Sequence, residues 1–187
     1  MSVPSNKQIL LTSSRKCPFR TRKFLKEFFL LFNDAIKINR GHMGLNDLFS
    51  YALSNSCNKI LVIFSKKGNP SLIRCYQYSQ FEKQFQWKFD WKISSVKTNF
   101  EMNSTIKMKL NVHRYWDIST LNTDLKKLFL DFLSQEHTFP LPDKNDQVQI
   151  LVHPQKPGFL ISAIHSECGK IAPEFFIDEI VVPLTEV

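Results

Sequence analysis

Residues 59–64, KILVIF, are apolar at five of six consecutive positions. A strand with one wet face alternates between apolar and polar, so an unbroken run like this reads as a central strand covered on both sides. Such a strand needs a layer above and a layer below, and the segments before it supply helices. Gln8–Thr12 (QILLT) reads as a strand, Pro18–Phe32 as a helix, Ala35–Asn39 (AIKIN) as a strand and Gly44–Ser54 as a second helix. Ser71–Tyr78 returns as a strand after a turn at Lys66–Pro70. Pro18 suits a first helical turn, where a missing N–H costs nothing. Phe24, Leu25, Phe28, Phe29, Leu31 and Phe32 then form an apolar stripe at helical spacing. Leu45, Leu48, Phe49 and Ala52 do the same in the second helix. The order βαβαββ implies an α/β fold, a mixed sheet with packed helices.

The second half is richer in strands. In FEKQFQWKFDWKI (81–93), Phe85, Trp87, Phe89 and Trp91 share one parity, and Gln84, Gln86, Lys88, Asp90 and Lys92 take the other. Period two predicts a strand with all four rings on a single buried face, a core face rather than a platform for stacking bases. Thr105–Val112 is expected as a strand, Leu121–Leu133 as an amphipathic helix, and Gln147–Val152, Phe159–Ile164 and Phe175–Val182 as strands. No internal repeat is visible. The 187 residues fit one domain, with a basic first half at about 1–80 and a strand-rich second half at about 81–187.

Charge separates the halves. Residues 1–76 hold 13 Lys and Arg against three acids, and residues 77–187 hold 12 against 14, so the whole excess of +8 lies in the first part. That asymmetry is the footprint of a polyanion-binding face. Its densest segment is SSRKCPFRTRKF (13–24), where Arg15, Lys16, Arg20, Arg22 and Lys23 fall at the start of a helix. Cations oppose the dipole there by up to about 1 kcal/mol each, which an anion in the same place would relieve. Two more basic loops, NRGHMG (39–44) and SKKGNP (65–70), follow the next two strands of this half. If the three strands are parallel, their loops emerge at one sheet edge, where ligands of open α/β sheets bind. Asn39, Arg40, Lys66, Lys67 and Asn69 would join the first cluster there.

Chemistry of other kinds finds little support. Cys17, Cys57, Cys75 and Cys168 show no Cys-x-x-Cys spacing and read as free, mostly buried thiols. His42, His113, His137, His153 and His165 show no metal-ligand spacing. No P-loop, Gly-x-Ser-x-Gly or His-Glu-x-x-His is present. No catalytic residue, cofactor or metal is therefore expected. The longest apolar windows, Phe28–Phe32 and Ile60–Phe64, fall far short of the roughly 20 residues of a membrane span. Without a signal-peptide pattern either, the expectation is a cytoplasmic protein with no membrane partner.

The segments LLTSSRKCPFRTRKF (10–24), INRGHMGLNDL (38–48) and KKGNPSLI (66–73) resemble the successive motifs of the Brix domain, in family order and spacing. That family comprises ribosome-biogenesis proteins, and the chain resembles its compact archaeal form. The resemblance covers about the first 75 residues. It implies two α/β halves, each similar to the anticodon-binding domain of class II aminoacyl-tRNA synthetases. It also implies binding of ribosomal RNA or its precursor without catalysis, with pre-ribosomal proteins as further partners and a monomer outside the particle. By motif match, Arg15, Arg20, Arg22, Arg40 and Lys67 are the implied RNA contacts, with Ser14, Gly41, Gly68 and Pro70 shaping the loops. Two rivals stay open. One is an enzyme holding a phosphorylated ligand at the first helix N-terminus, the other a protein-interaction module for an acidic partner.

Overall fold

The computed structural model describes residues 8–102, 112–133, 147–166 and 169–183. In chain order the elements are β1 (Gln8–Ser13), α1 (Phe19–Phe29), β2 (Ala35–Lys37), α2 (Leu45–Ser54), β3 (Cys57–Lys66), β4 (Asn69–Ser79), β5 (Gln84–Lys97), β6 (His113–Asp117), α3 (Thr123–Phe132), β7 (Gln147–Gln155), β8 (Gly158–His165) and β9 (Gly169–Val181). The expected strand at 105–112 lies outside the described residues except for Val112, as does Cys168. The chain divides into two compact units. The first comprises Met1–Leu25, Asp34–Lys92 and Ile180–Val187, the second Lys26–Asn33 and Ile93–Glu179.

In the first unit the strand order is β2-β1-β3-β4-β5. Strand β1 lies between β2 and β3 and runs parallel to both, while β3, β4 and β5 form an antiparallel meander. Ile60, Leu61, Val62 and Ile63 of β3 are all fully buried, as an unbroken apolar run requires. Leu10, Ile60 and Val62 pack in one cluster with Leu48 and Ala52 of α2. Leu11, Leu61 and Ile63, on the alternate face, are buried as completely. Each such side chain contributes about 1.5–3 kcal/mol by leaving water. The parallel β1–β3 ladder therefore anchors the unit.

The aromatic strand departs from its period. Along β4 and β5, Tyr78 pairs with Phe85 and Tyr76 with Trp87, but Cys75 pairs with Phe89 and Ile73 with Trp91. Consecutive residues Tyr76 and Cys75 thus face Trp87 and Phe89, which leaves Lys88 as an extra residue. A bulge of this kind flips every later side chain to the other face. Phe85 consequently joins Phe49, Tyr76 and Tyr78 on the α2 side. Phe89 and Trp91 stack on each other from the opposite side, with ring centroids 5.2 Å apart. The expectation of one face with four rings is corrected to two faces with two rings each. Asp90, of polar parity, comes to the α2 side and accepts from Arg74 Nε and Nη2 at 2.8 and 2.7 Å and from Trp87 Nε1 at 2.9 Å.

In the second unit the order is β5-β9-β8-β7-β6, with β5 contributing from Ile93 onward. Strands β6 and β7 are parallel and joined through α3, and β7, β8 and β9 form an antiparallel meander. This β-α-β-β-β succession has the element order of β2-α2-β3-β4-β5, although β6 pairs directly with β7 while β1 lies between β2 and β3. The end of α1 supplies part of this unit's core. Phe28 packs edge-on to Phe175 at 5.6 Å, and Phe32 meets Trp116 at 5.5 Å. Regular α-helix stops at Phe29, short of the expected Phe32. The amides of Leu30 and Leu31 bond three residues back at 3.0 Å, a tighter turn that still buries Leu31 and Phe32. Asn33 then accepts from the Arg114 amide and donates to its carbonyl, at 3.0 and 2.9 Å, as a neighbouring strand would.

Candidate nucleic-acid interface

Because β1, β2 and β3 are parallel, the segments after Ser13, Lys37 and Lys66 leave the same edge of the first unit. The strand ends are tied together. Ser14 N–H donates to the Ile63 carbonyl at 2.8 Å, Ile38 N–H to the Leu11 carbonyl at 3.0 Å, and the Thr12 hydroxyl to the Ile38 carbonyl at 3.0 Å. A rigid ladder thus carries three basic loops.

One hydrogen bond and one charge effect link the loops. Arg20 Nη1 donates to Asn69 Oδ1, linking the start of α1 to the β3–β4 hairpin. The charge of Arg15, in the first loop, acts on Arg40 of the second. Partial burial lowers the affinity of the Arg40 guanidinium for its proton, and the Arg15 charge lowers it further. Arg40 Nε is held by the Met43 carbonyl at 3.0 Å, so it cannot simply swing away. Like charges that act on one another repel, and a nearby anion would relieve that cost. Lys16, Asn39, Lys66 and Lys67 are exposed at the same edge. Arg22 is exposed on α1, and the Lys23 ammonium lies 6.0 Å from the centre of the Phe19 ring.

The loop-shaping residues divide. Gly41 has φ +56° inside a turn closed by Met43 N–H on the Arg40 carbonyl, and Gly68 has φ +84°. Lys67 also has a positive φ, so Lys67 and Gly68 form a two-residue hairpin loop of the kind a right-twisted strand pair prefers. The turn is therefore shorter than the Lys66–Pro70 segment expected. Asn69 and Pro70 already belong to β4, and Pro70 is buried opposite Ser65, next to a register shift. Proline is tolerated at such an irregularity. Phe19, absent from the expected site, is the first residue of α1 and 72% exposed. Its signal was its position off the stripe formed by Phe24, Leu25 and Phe28.

A second feature is a cleft of about 490 Å³ in the second unit, lined by Ser94, Lys97, Lys156, Glu174, Phe176 and Asp178 among others. Burial alone would raise the Glu174 carboxyl. Hydrogen bonds from Lys170 and Lys97 outweigh it and hold the group below its ordinary range. A base working near neutral pH needs the opposite shift. Among the described residues no group of three or more His, Cys, Asp and Glu side chains could hold a metal ion, and no helix is long and apolar enough to cross a membrane.

The fold and this edge define an α/β protein with a basic, multi-loop surface, and comparison with known proteins gives that class a context. No family model matches the chain. A probable Brix domain-containing ribosomal biogenesis protein of Sulfurisphaera tokodaii is 39% identical over 69 residues, 37% of this chain and 39% of that protein. The U3 small nucleolar ribonucleoprotein protein IMP4 of Yarrowia lipolytica is 24% identical over 183 residues, 94% of this chain and 62% of that protein. The matches thus span less than two thirds of these relatives' length. Among solved structures, a probable ribosomal biogenesis protein of Aeropyrum pernix superposes with TM-score 0.71 at 18% identity, covering 96% of this chain and 98% of that one. Mil, an archaeal Imp4-like protein, superposes with TM-score 0.64 at 17% identity, covering 93% and 99%. The resemblance to Brix domain proteins read from the three motifs is shown by these relatives, and the fold is that of the two archaeal structures.

Proposed function

We propose that this protein is a non-catalytic ribosome-assembly factor that holds ribosomal RNA or its precursor on the carboxyl edge of β1, β2 and β3. One observation carries the reading: parallel strands deliver three basic loops to one edge, where Arg20 reaches Asn69 across two of them. Arginine forks and exposed lysines suit phosphate oxygens, and the asparagines add polar contacts to the backbone. The names of the relatives support the ribosomal setting. In this reading the whole chain acts as one domain in the cytoplasm, a monomer outside the pre-ribosomal particle and in contact with other proteins within it. The same reading makes each half kin to the anticodon-binding domain of class II aminoacyl-tRNA synthetases.

Titration with ribosomal RNA fragments over a range of salt tests the proposal. Neutralising five or six phosphates makes log K fall with a slope of roughly −4 to −5 against log salt. A slope near zero would refute phosphate binding. Crosslinking in the protein's own cells should place it on a few precursor segments.

A further inference from the structure

Phe19 leaves 72% of its surface open, while Phe24, Leu25 and Phe28, further along the same helix, are at 0%, 4% and 0%. It begins α1 and contributes nothing to the core. Its surroundings are cationic. Arg15 and Lys16 precede it, Arg20, Arg22 and Lys23 follow, and no acid occurs before Glu27. The Lys23 ammonium sits 6.0 Å from the ring centre, and the adjacent Arg20 is fixed by Asn69.

An exposed ring can anchor a protein partner or stack on a nucleobase. Protein interfaces enrich arginine beside aromatics but deplete lysine, and the cation beside this ring is Lys23. A ring beside phosphate-binding cations is the arrangement that grips unpaired nucleotides, because every base offers a flat π-face and its phosphates stay close to the cations. Bases inside a continuous duplex are already stacked and beyond its reach. We infer that Phe19 is a stacking platform for an unpaired nucleobase, so that the basic edge prefers RNA with an internal loop or bulge to an uninterrupted helix. The inference rests on the RNA-binding reading and adds the class of RNA element.

The test compares the full chain with its Phe19→Ala and Phe19→Trp variants. Each is titrated against a blunt RNA duplex and against a stem with an unpaired internal loop of equal phosphate number. A 2-aminopurine in that loop reports stacking. Phe19→Ala is expected to weaken the looped RNA by roughly 5- to 150-fold. It should leave duplex affinity and the salt slope unchanged and relieve the 2-aminopurine quench, while Phe19→Trp keeps both affinity and quench. Equal losses on the two RNAs would overturn the inference, since they would mark the ring as structural. If the wild-type chain binds both and Phe19→Ala changes neither, stacking alone is refuted and the ring passes to a protein partner. If the wild type shows no salt-dependent binding of either RNA, the RNA reading itself fails and the inference with it.

Discussion

Glu174 in β9 keeps only 7% of its side chain exposed, between Lys97 at 3.0 Å and Lys170, whose own side chains are 63% and 50% exposed. The lysines hold its folded pKa below the ordinary value of 4.5. A depressed carboxylate adds stability that is fully present above the unfolded pKa and is lost as pH falls through the folded one. Because both lysines are well solvated, the contribution is modest. Glu174→Gln should cost about 1 kcal/mol at neutral pH. The difference from wild type should vanish well below pH 4.5, as urea unfolding at several pH values would show. Nothing in the sequence pairs Glu174 with Lys97, 77 positions away. The same holds for Arg74, which meets Asp90 across the β4–β5 ladder and lies between the Phe64 and Trp87 rings at 5.7 and 5.6 Å. Residue types announce that a buried carboxylate needs a partner, but only the folded chain selects it.

The strands and helices were largely legible as elements, since burial imposes a period on each. The period of β5 identified the strand and the buried status of Phe85, Phe89 and Trp91, yet it mis-assigned their sides. One additional residue costs the local pattern almost nothing but inverts every position beyond it. Hairpin glycines are a further case where one residue type serves two physical needs. A Cβ on Gly158 would lie 1.8 Å from the Ile177 carbonyl oxygen, because β8 and β9 approach closely there. On Gly68 it would meet nothing within 4 Å, and only the positive φ opposes it. Gly158→Ala should therefore destabilise by about 2–3 kcal/mol through displacement of β9, and Gly68→Ala by about 1 kcal/mol. Thermal unfolding of both variants would check the order.

For the whole molecule, the uneven charge becomes meaningful only through topology. The excess cations of residues 1–76 would be a diffuse coat if β1, β2 and β3 alternated in direction. Parallel pairing gathers their loops at one edge instead. Arg20→Ala with Arg22→Ala should weaken all RNA targets similarly, by about tenfold or more, and flatten the salt dependence by one to two in slope. Its unfolding midpoint should stay near wild type, because Arg22 is exposed and the Arg20–Asn69 bond lies at the surface. A midpoint that collapsed in parallel with affinity would mean that the pair supports the fold rather than the ligand.

By itself the sequence determined the α/β class, the central strand KILVIF, the basic first half and the three loops that carry its charge. Each of these is written in composition or in a short-range period that burial and solvation impose on neighbouring residues. Strand direction, the bulge at Lys88 and the division of α1 between the two units were decided only in the tertiary structure. They depend on which distant segments share a ladder or a core, and that is set by packing over the whole chain, which no local pattern encodes.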